Sequence, residues 1–430
     1  MRYMVLPLRA ATRSIPSDYY AIRLALTFAF SIPNTQKSTY LSMMQPPRVV
    51  KSIQVRAILV IASVVLFATA CGQSSSSVDD SGNTQSGTQS AGSSSTATVG
   101  AGLGMYDGLF KASGIETAAE WLGSSTSIRY AEDFVDATDW TNISEPWQLG
   151  NWKGSPFTMV WGVPMVPCGG PSTQCATNVS DYNEVADGDA DGYYKTLAQN
   201  LVSAGFGSSY IRLGWEFNGT YMGWSICNQE ATGLTSWASD FVPAYRNIVN
   251  SMRSVSGANF KFIWNPIDSS NVSCEGVSME SFYPGDSYVD VVALDVYDGI
   301  GQPTSSDAAR WEDLVNGVNA GNWTSTTPDP INGQKFEGYG LDWLAAFGEE
   351  HGKEIGVPEW GLDVASQNSG GGDDAYFVTE MANWIKANAT GPAIFWNYAD
   401  GNLQLDIPNY TSGATQKATA AFRAAFGTSG

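Results

Sequence analysis

Two glutamates stand where apolar runs give way to aromatic and polar residues. Glu216 lies within Tyr210–Trp224 (YIRLGWEFNGTYMGW) and Glu359 within His351–Gly361 (HGKEIGVPEWG). A carboxyl held between Trp215 and Phe217, or between Pro358 and Trp360, is expected to lose hydration, which raises its pKa and suits it to donate a proton. If a second carboxylate faces it, one acid protonates a leaving oxygen while the other attacks carbon. That pairing cleaves glycosidic bonds. Competing chemistries are short of residues: a single His, at position 351, removes most routes through Ser-His-Asp triads, Cys-His dyads or zinc sites with two or more His. With 22 Lys+Arg against 42 Asp+Glu, the net charge of −20 argues against nucleic acid as a partner. No cofactor or metal is called for. Asp373-Asp374, behind Gly370-Gly371-Gly372, reads as a loop capping the next helix in preference to a Ca²⁺ site.

Positioning two acids face to face requires a scaffold, and the chain spells one out. Apolar runs over Val99–Tyr106, Ser127–Phe134, Phe157–Val166, Ser209–Asn218, Lys261–Pro266, Val289–Tyr297, Glu354–Gly361 and Ala393–Tyr398 read as strands. Helical segments over Tyr193–Ala204, Trp237–Val255, Leu341–His351, Ala375–Ala387 and Ala414–Phe426 lie among them. Several strands are apolar nearly throughout, as parallel strands buried on both faces are. Eight such strands predict an α/β (β/α)₈ TIM barrel, with a doubly wound open sheet as the alternative. A barrel puts its active site at the C-terminal strand ends, which here carry Trp215-Glu216-Phe217-Asn218, Trp264-Asn265, Asp295-Val296-Tyr297-Asp298, Glu359-Trp360 and Trp396-Asn397-Tyr398. Glu216 and Glu359, on the fourth and seventh strands, are then expected across the mouth, with carboxyl groups roughly 5–5.5 Å apart for a retaining enzyme. Indole faces pack on the C–H faces of sugars, so Trp161, Trp215, Trp224, Trp264, Trp360 and Trp396 are candidate platforms. Barrel filling is an equal reading for Trp161, Trp264 and Trp360. Asp295 has two equal readings, lining the cleft or a structural hydrogen bond. Glu354 reads as a solvated residue and His351 as the last residue of a helix.

Three segments carry a family resemblance. Tyr210–Trp224 resembles the acid/base segment of glycoside hydrolase family 26, in which an Arg precedes a Glu-hydrophobic-Asn-Gly run followed by aromatics. Phe282–Asp298 (FYPGDSYVDVVALDVYD) is similar to that family's segment leading through the sixth strand to a Tyr, and His351–Gly361 to its nucleophile strand. The resemblance covers most of 99–430 and implies a retaining hydrolase of a β-linked polysaccharide or oligosaccharide. Glu216 would be the acid/base, Glu359 the nucleophile, Tyr297 the group orienting Glu359, and Trp396 a sugar platform; Arg212, Asn218 and Asn265 complete the expected site. Endo-β-1,4-mannanase activity comes first, with β-glucanase or xylanase on the same barrel, or a non-catalytic surface glycan-binding lipoprotein, as alternatives. Trp215 departs from the family pattern, which has His in characterised mannanases. A solute-binding lipoprotein of two hinged lobes is a further alternative.

The N-terminal part reads as targeting sequence. Residues 57–70 (AILVIASVVLFATA) follow Arg48, Lys51 and Arg56 and end in small residues before Cys71, the layout of an export signal. The ending resembles a bacterial lipoprotein signal, with Cys71 lipidated. The expected organisation is a signal region over 1–70, of which 1–42 is an upstream extension if translation starts at Met43 or Met44, then a flexible Ser/Gly/Thr linker over 71–98 and the barrel over 99–430. All 15 Trp lie beyond residue 120. The protein is thus expected to be exported, at the cell surface or outside the cell, monomeric, and tied to a membrane only by its lipid. Cys168, Cys175, Cys227 and Cys274 are even in number in an oxidising compartment. Cys168–Cys175 and Cys227–Cys274 are the favoured disulfides among three possible pairings.

Overall fold

Strands that are apolar on both faces need cover on both sides, and here they obtain it by closing on themselves. In the computed structural model, β1 (Leu103–Tyr106), β2 (Tyr130–Phe134), β3 (Thr158–Val163), β4 (Tyr210–Leu213), β5 (Lys261–Trp264), β6 (Val291–Ala293), β8 (Glu354–Asp363) and β9 (Ala393–Trp396) pair in parallel. The β1–β9 and β8–β9 pairings close the ring. A short β7 (Val296–Tyr297) continues β6 along β8, and β10 (Asn402–Leu403) runs antiparallel to the end of β8. This is a (β/α)₈ barrel; the open sheet and the two hinged lobes are excluded. The structure describes residues 102–428 apart from 110, 168–178, 220–221, 227–233, 269–277, 300–305, 318–324, 331–332, 337, 364–369 and 399–401. They belong to one unit, Ala91–Gly430. The signal region 1–70, Cys71, the linker 71–98 and Cys168, Cys175, Cys227 and Cys274 lie outside the described residues.

Successive side chains of a strand point to opposite faces, which sorts the core into two layers. Tyr106, Tyr130, Val160, Tyr210, Ile263, Val291, Ala293 and Ile394 fill the barrel. Met105, Ala131, Trp161, Ile211, Phe262, Trp264, Val292 and Phe395 face outward into a larger cluster. Helices including Asp191–Ser203, Leu341–His351, Ala375–Asn388 and Gln416–Phe426 contribute to that outer cluster. Burying one such Leu, Phe or Val side chain is worth roughly 1.5–3 kcal/mol. Gly162 on β3 and Gly361 on β8 leave room inside the ring for Phe134 and Tyr297, whose rings a Cβ at those positions would meet.

The alternation breaks once where it matters. Val357 and Trp360 both belong to the outer cluster although they stand three positions apart, which strict alternation would put on opposite faces, and the β8–β9 register shifts between them. One extra residue has been inserted into the strand, a β-bulge, and Pro358 sits within it. Without it Glu359 would share the outward face of Val357; with it Glu359 turns into the barrel and Trp360 out.

Candidate active site

The inward positions at the C-terminal ends of the strands hold a cluster of charge around Arg212. Arg212 is fully buried on β4. One of its terminal nitrogens donates to Glu132 Oε1 on β2 at 2.9 Å and to Glu359 Oε1 on β8 at 2.5 Å. The other donates to Asp295, between β6 and β7, and Nε donates to the side-chain oxygen of Asn265, just beyond β5. Asn265 also donates to Asp295 Oδ1 at 3.2 Å. Glu359 takes a second donor, the Tyr297 hydroxyl, at 2.8 Å. Both of its oxygens are therefore fixed. The surrounding carboxylates hold the Arg212 guanidinium well above its already high pKa, whereas burial alone would lower it. Burial raises Asp295 well above the usual carboxylate range against the pull of Arg212, and raises the Tyr297 hydroxyl too.

Glu216 reaches the same cluster by another route. After Leu213 the chain leaves the strand in a turn in which Gly214 (φ 56°) and Glu216 (φ 51°) are both left-handed. Among the described residues Glu216 is the only non-glycine with positive φ. That conformation costs an L-residue about 1–2 kcal/mol, and such strain concentrates at functional sites. Its own N–H, bonded to the Asn265 carbonyl at 2.8 Å, helps hold it there. Asn218 clamps the turn, donating to the Ile267 carbonyl at 2.8 Å and accepting the Ile267 N–H at 2.9 Å. One carboxylate oxygen from each of Glu216, Asp295 and Glu359 lies within 4.8 Å of the others. Glu216 and Glu359 are each 6% exposed, enough for solvent to reach them.

Spacing alone would let these three acids hold a cation, but the positive charge is already supplied: Arg212 donates to Asp295 and Glu359. A metal ion would sit beside a buried guanidinium. The donor set does not fit one. Asp373 and Asp374 are spoken for as well. Asp374 accepts the N–H groups of Tyr376 and Phe377 at the start of helix Ala375–Asn388, and Asp373 those of Lys417 and Ala418.

The structure brings Arg212, Glu216, Asn265, Tyr297 and Glu359 together, with Asp295 joining them. Arg212 and Asn265 are both fully buried and contact the acids, Arg212 through Glu132, Asp295 and Glu359 and Asn265 through Asp295. Trp215 (7% exposed) and half-buried Trp396 border the site. Trp215 packs 5.0 Å from Phe134, and Trp396 packs 4.0 Å from Tyr106 and 5.8 Å from Phe134. The other expected sugar contacts are placed elsewhere. Trp161 packs on Phe206, Trp264 on Tyr283 and Phe347, and Trp360 on Phe395 and Phe422, all with indoles fully buried outside the barrel wall. Neighbours of inward residues must face outward, so these indoles fill the layer between the barrel and its helices and not the barrel itself. Trp224 is buried with its indole N–H on the Trp215 carbonyl, and Asn218 is consumed by its clamp. Glu354 is partly solvated and opens β8, where it pairs with Lys261 and accepts from Tyr210 at the base of the barrel. His351 ends its helix, as expected, its ring 2.8 Å from Asp286.

Glu132, Phe134 and Tyr106 went unread as site residues. The signal for Glu132 was an acid inside an apolar strand, YAEDF, in phase with Tyr130 and Phe134.

A family model, that of glycosyl hydrolase family 26, matches residues 60–337, well over half the chain. The match contains Glu132, Arg212, Glu216, Asp295 and Tyr297 and ends before β8. Endoglucanase H of Acetivibrio thermocellus is 29% identical over 134 residues, 31% of this chain and 14% of that protein, so the chain spans a small part of this relative's length. Among solved structures, a modular endo-β-1,4-mannanase from Cellulomonas fimi is 17% identical over 75% of this chain and 70% of its own, with a TM-score of 0.46. A family 26 β-mannanase from Bacteroides ovatus is 15% identical over 76% of this chain and 89% of its own, with a TM-score of 0.48.

Proposed function

Because the chain belongs to glycosyl hydrolase family 26, we propose that this retaining glycoside hydrolase cuts a β-linked polysaccharide with Glu216 as acid/base and Glu359 as nucleophile. One observation carries the assignment: the two carboxylates converge within 4.8 Å, oxygen to oxygen, at the C-terminal mouth of the barrel. That spacing suits direct attack. An inverting pair stands roughly 6.5–9.5 Å apart to admit a water. Glu216 gives its proton to the glycosidic oxygen as Glu359 attacks the anomeric carbon, so the C–O bond to the leaving sugar breaks as an ester to Glu359 forms. Water, deprotonated by Glu216, then hydrolyses the ester and restores both acids. The Tyr297 hydroxyl and Arg212 aim the Glu359 oxygens. Orientation of this kind lowers the barrier by keeping the attacking atom in place beforehand.

Mannan is the leading substrate, on the three family-like segments. A β-glucan is the second reading, on Trp215 in the position before the acid/base, which offers one N–H where the His of the family's mannanases would offer two ring nitrogens. We also take the protein to be exported as a monomer and anchored through a lipid on Cys71, in which case Cys71→Ser would release it from the membrane fraction. Hydrolysis is tested by incubating the protein with an array of soluble mannans, β-glucans and xylans and reading reducing ends. Activity on one class, lost in Glu216→Gln, is expected. Full activity in Glu216→Gln would refute the residue assignment.

A further inference from the structure

We propose that Glu132 is a positioning residue that stays protonated, leaving the single charge of Arg212 to hold Glu359 as the attacking anion. The inference rests on the reading of Glu359 as nucleophile. Arg212 is one cation in contact with three acids, Glu132, Asp295 and Glu359. All three ionised would leave a net charge of about −2 in a site nearly closed to water, and buried charge without a partner is strongly disfavoured. Burial raises Asp295 as well as Glu132, so the cluster holds at least one proton, and the hydrogen bonds mark Glu132 as a place for it. Glu359 receives Arg212 on one oxygen and Tyr297 on the other. Asp295 receives Arg212 on one and Asn265 on the other. Glu132 receives Arg212 on Oε1 alone, while its Oε2 is buried with no partner among the described residues. A carboxylate oxygen left bare in the interior is costly; the hydroxyl of a neutral acid left bare costs far less.

The surroundings of Glu132 reinforce the choice. Tyr106 faces it from β1, Arg212 from β4, Asp295 from beyond β6 and Glu359 from β8, with Asp133 beside it on its own strand. The inward residues of β3, Val160 and Gly162, carry no charge. Burial outweighs the attraction of Arg212 and, with the repulsion of Glu359 and Asp133, pushes Glu132 up to about 8. Above that pH an ionised Glu132 competes with Glu359 for Arg212, whose grip on Glu359 loosens.

The test follows the proton directly. The difference between infrared spectra of the intact protein and of Glu132→Gln, taken in H₂O and D₂O, should contain the carbonyl stretch of one protonated carboxyl at pH 6 that fades near pH 8, over bands of Glu216 and Asp295 common to both. This readout needs no substrate, so its failure is separable from a failure of hydrolysis. In kinetics on an aryl β-glycoside whose phenolate leaves without protonation, Glu132→Ala should lower kcat/KM about tenfold, the value of one charge-assisted hydrogen bond. Glu132→Gln, which mimics the neutral acid, should restore most of it and push the alkaline limb above that of the parent. The proposal is overturned if the difference spectrum contains no such band at pH 6. It is equally overturned if Glu132→Gln fails to fold or is as impaired as Glu132→Ala, since an anion would then be required.

Discussion

The ends of β4 and β8 deliver the same functional group by opposite means. β4 stops at Leu213, and Glu216 is presented by a strained left-handed turn beyond it. β8 runs on through Asp363, and Glu359 is presented from within the strand by a bulge at Pro358. Glu359 has both oxygens tied to donors, which suits the role of nucleophile proposed for it. Glu216 has its backbone fixed, through the Asn265 carbonyl and the Asn218 clamp. The proposed nucleophile is thus held at its side chain, and the proposed acid/base has its main chain held in a strained turn.

Five substitutions break or sharpen this contrast. The largest effect separates the two acids chemically. Glu359→Gln should lower kcat by about 10⁴-fold or more on every substrate. Glu216→Gln should cost about 10²–10⁴-fold on polysaccharide and much less in the first step on an activated aryl glycoside, which needs no acid. Equal losses on both substrates in Glu216→Gln would erase the distinction. Next, Arg212→Met removes the cation shared by the β2, β6 and β8 acids and should destabilise the fold by about 3–5 kcal/mol in denaturant titrations at pH 7. Acidification should recover part of that loss as the stranded carboxylates protonate.

A smaller effect tests the strain at β4. Asn tolerates the left-handed region better than Glu, so Glu216→Asn should raise stability by about 1 kcal/mol while activity disappears; Glu359→Gln should bring no comparable gain. The smallest concerns pH. Glu132 is raised from an unfolded value of 4.5 to about 8, so the folded state binds the extra proton between those values. Its contribution is complete below pH 4.5 and is lost as pH rises through about 8. Glu132→Gln should therefore show a flatter fall of Tm across that window than the parent protein.

Much of this molecule was legible in its sequence, and what was not has physical causes. The eight strands stood out because strands covered on both faces are apolar throughout. That same uniformity hid which face each residue takes: in FTMVWGVPMV no polar residue marks the inside, so Trp161 could not be assigned. Adjacency was informative and went unused. Trp264 beside Asn265 and Trp360 beside Glu359 cannot share a face, so placing the polar partner inside sends the indole out. The bulge had a flag in Pro358, which cannot donate in a central strand. Helix Asp307–Asn316 went unread because its buried face amounts to Arg310 and Leu314, too thin a stripe to register. The charge hub was half visible, as Arg212 and Asp295, but pairing them with Glu132 takes the closure of the barrel.

The most direct test of the paired-acid assignment is covalent capture. The protein would be treated with 2-deoxy-2-fluoro-β-mannosyl and β-glucosyl fluorides and digested, and the labelled peptide sequenced by mass spectrometry. One sugar ester, on Glu359 and on no other carboxyl, is the predicted result. A label on another acid, or hydrolysis that releases the inverted anomer and leaves no adduct, would contradict it.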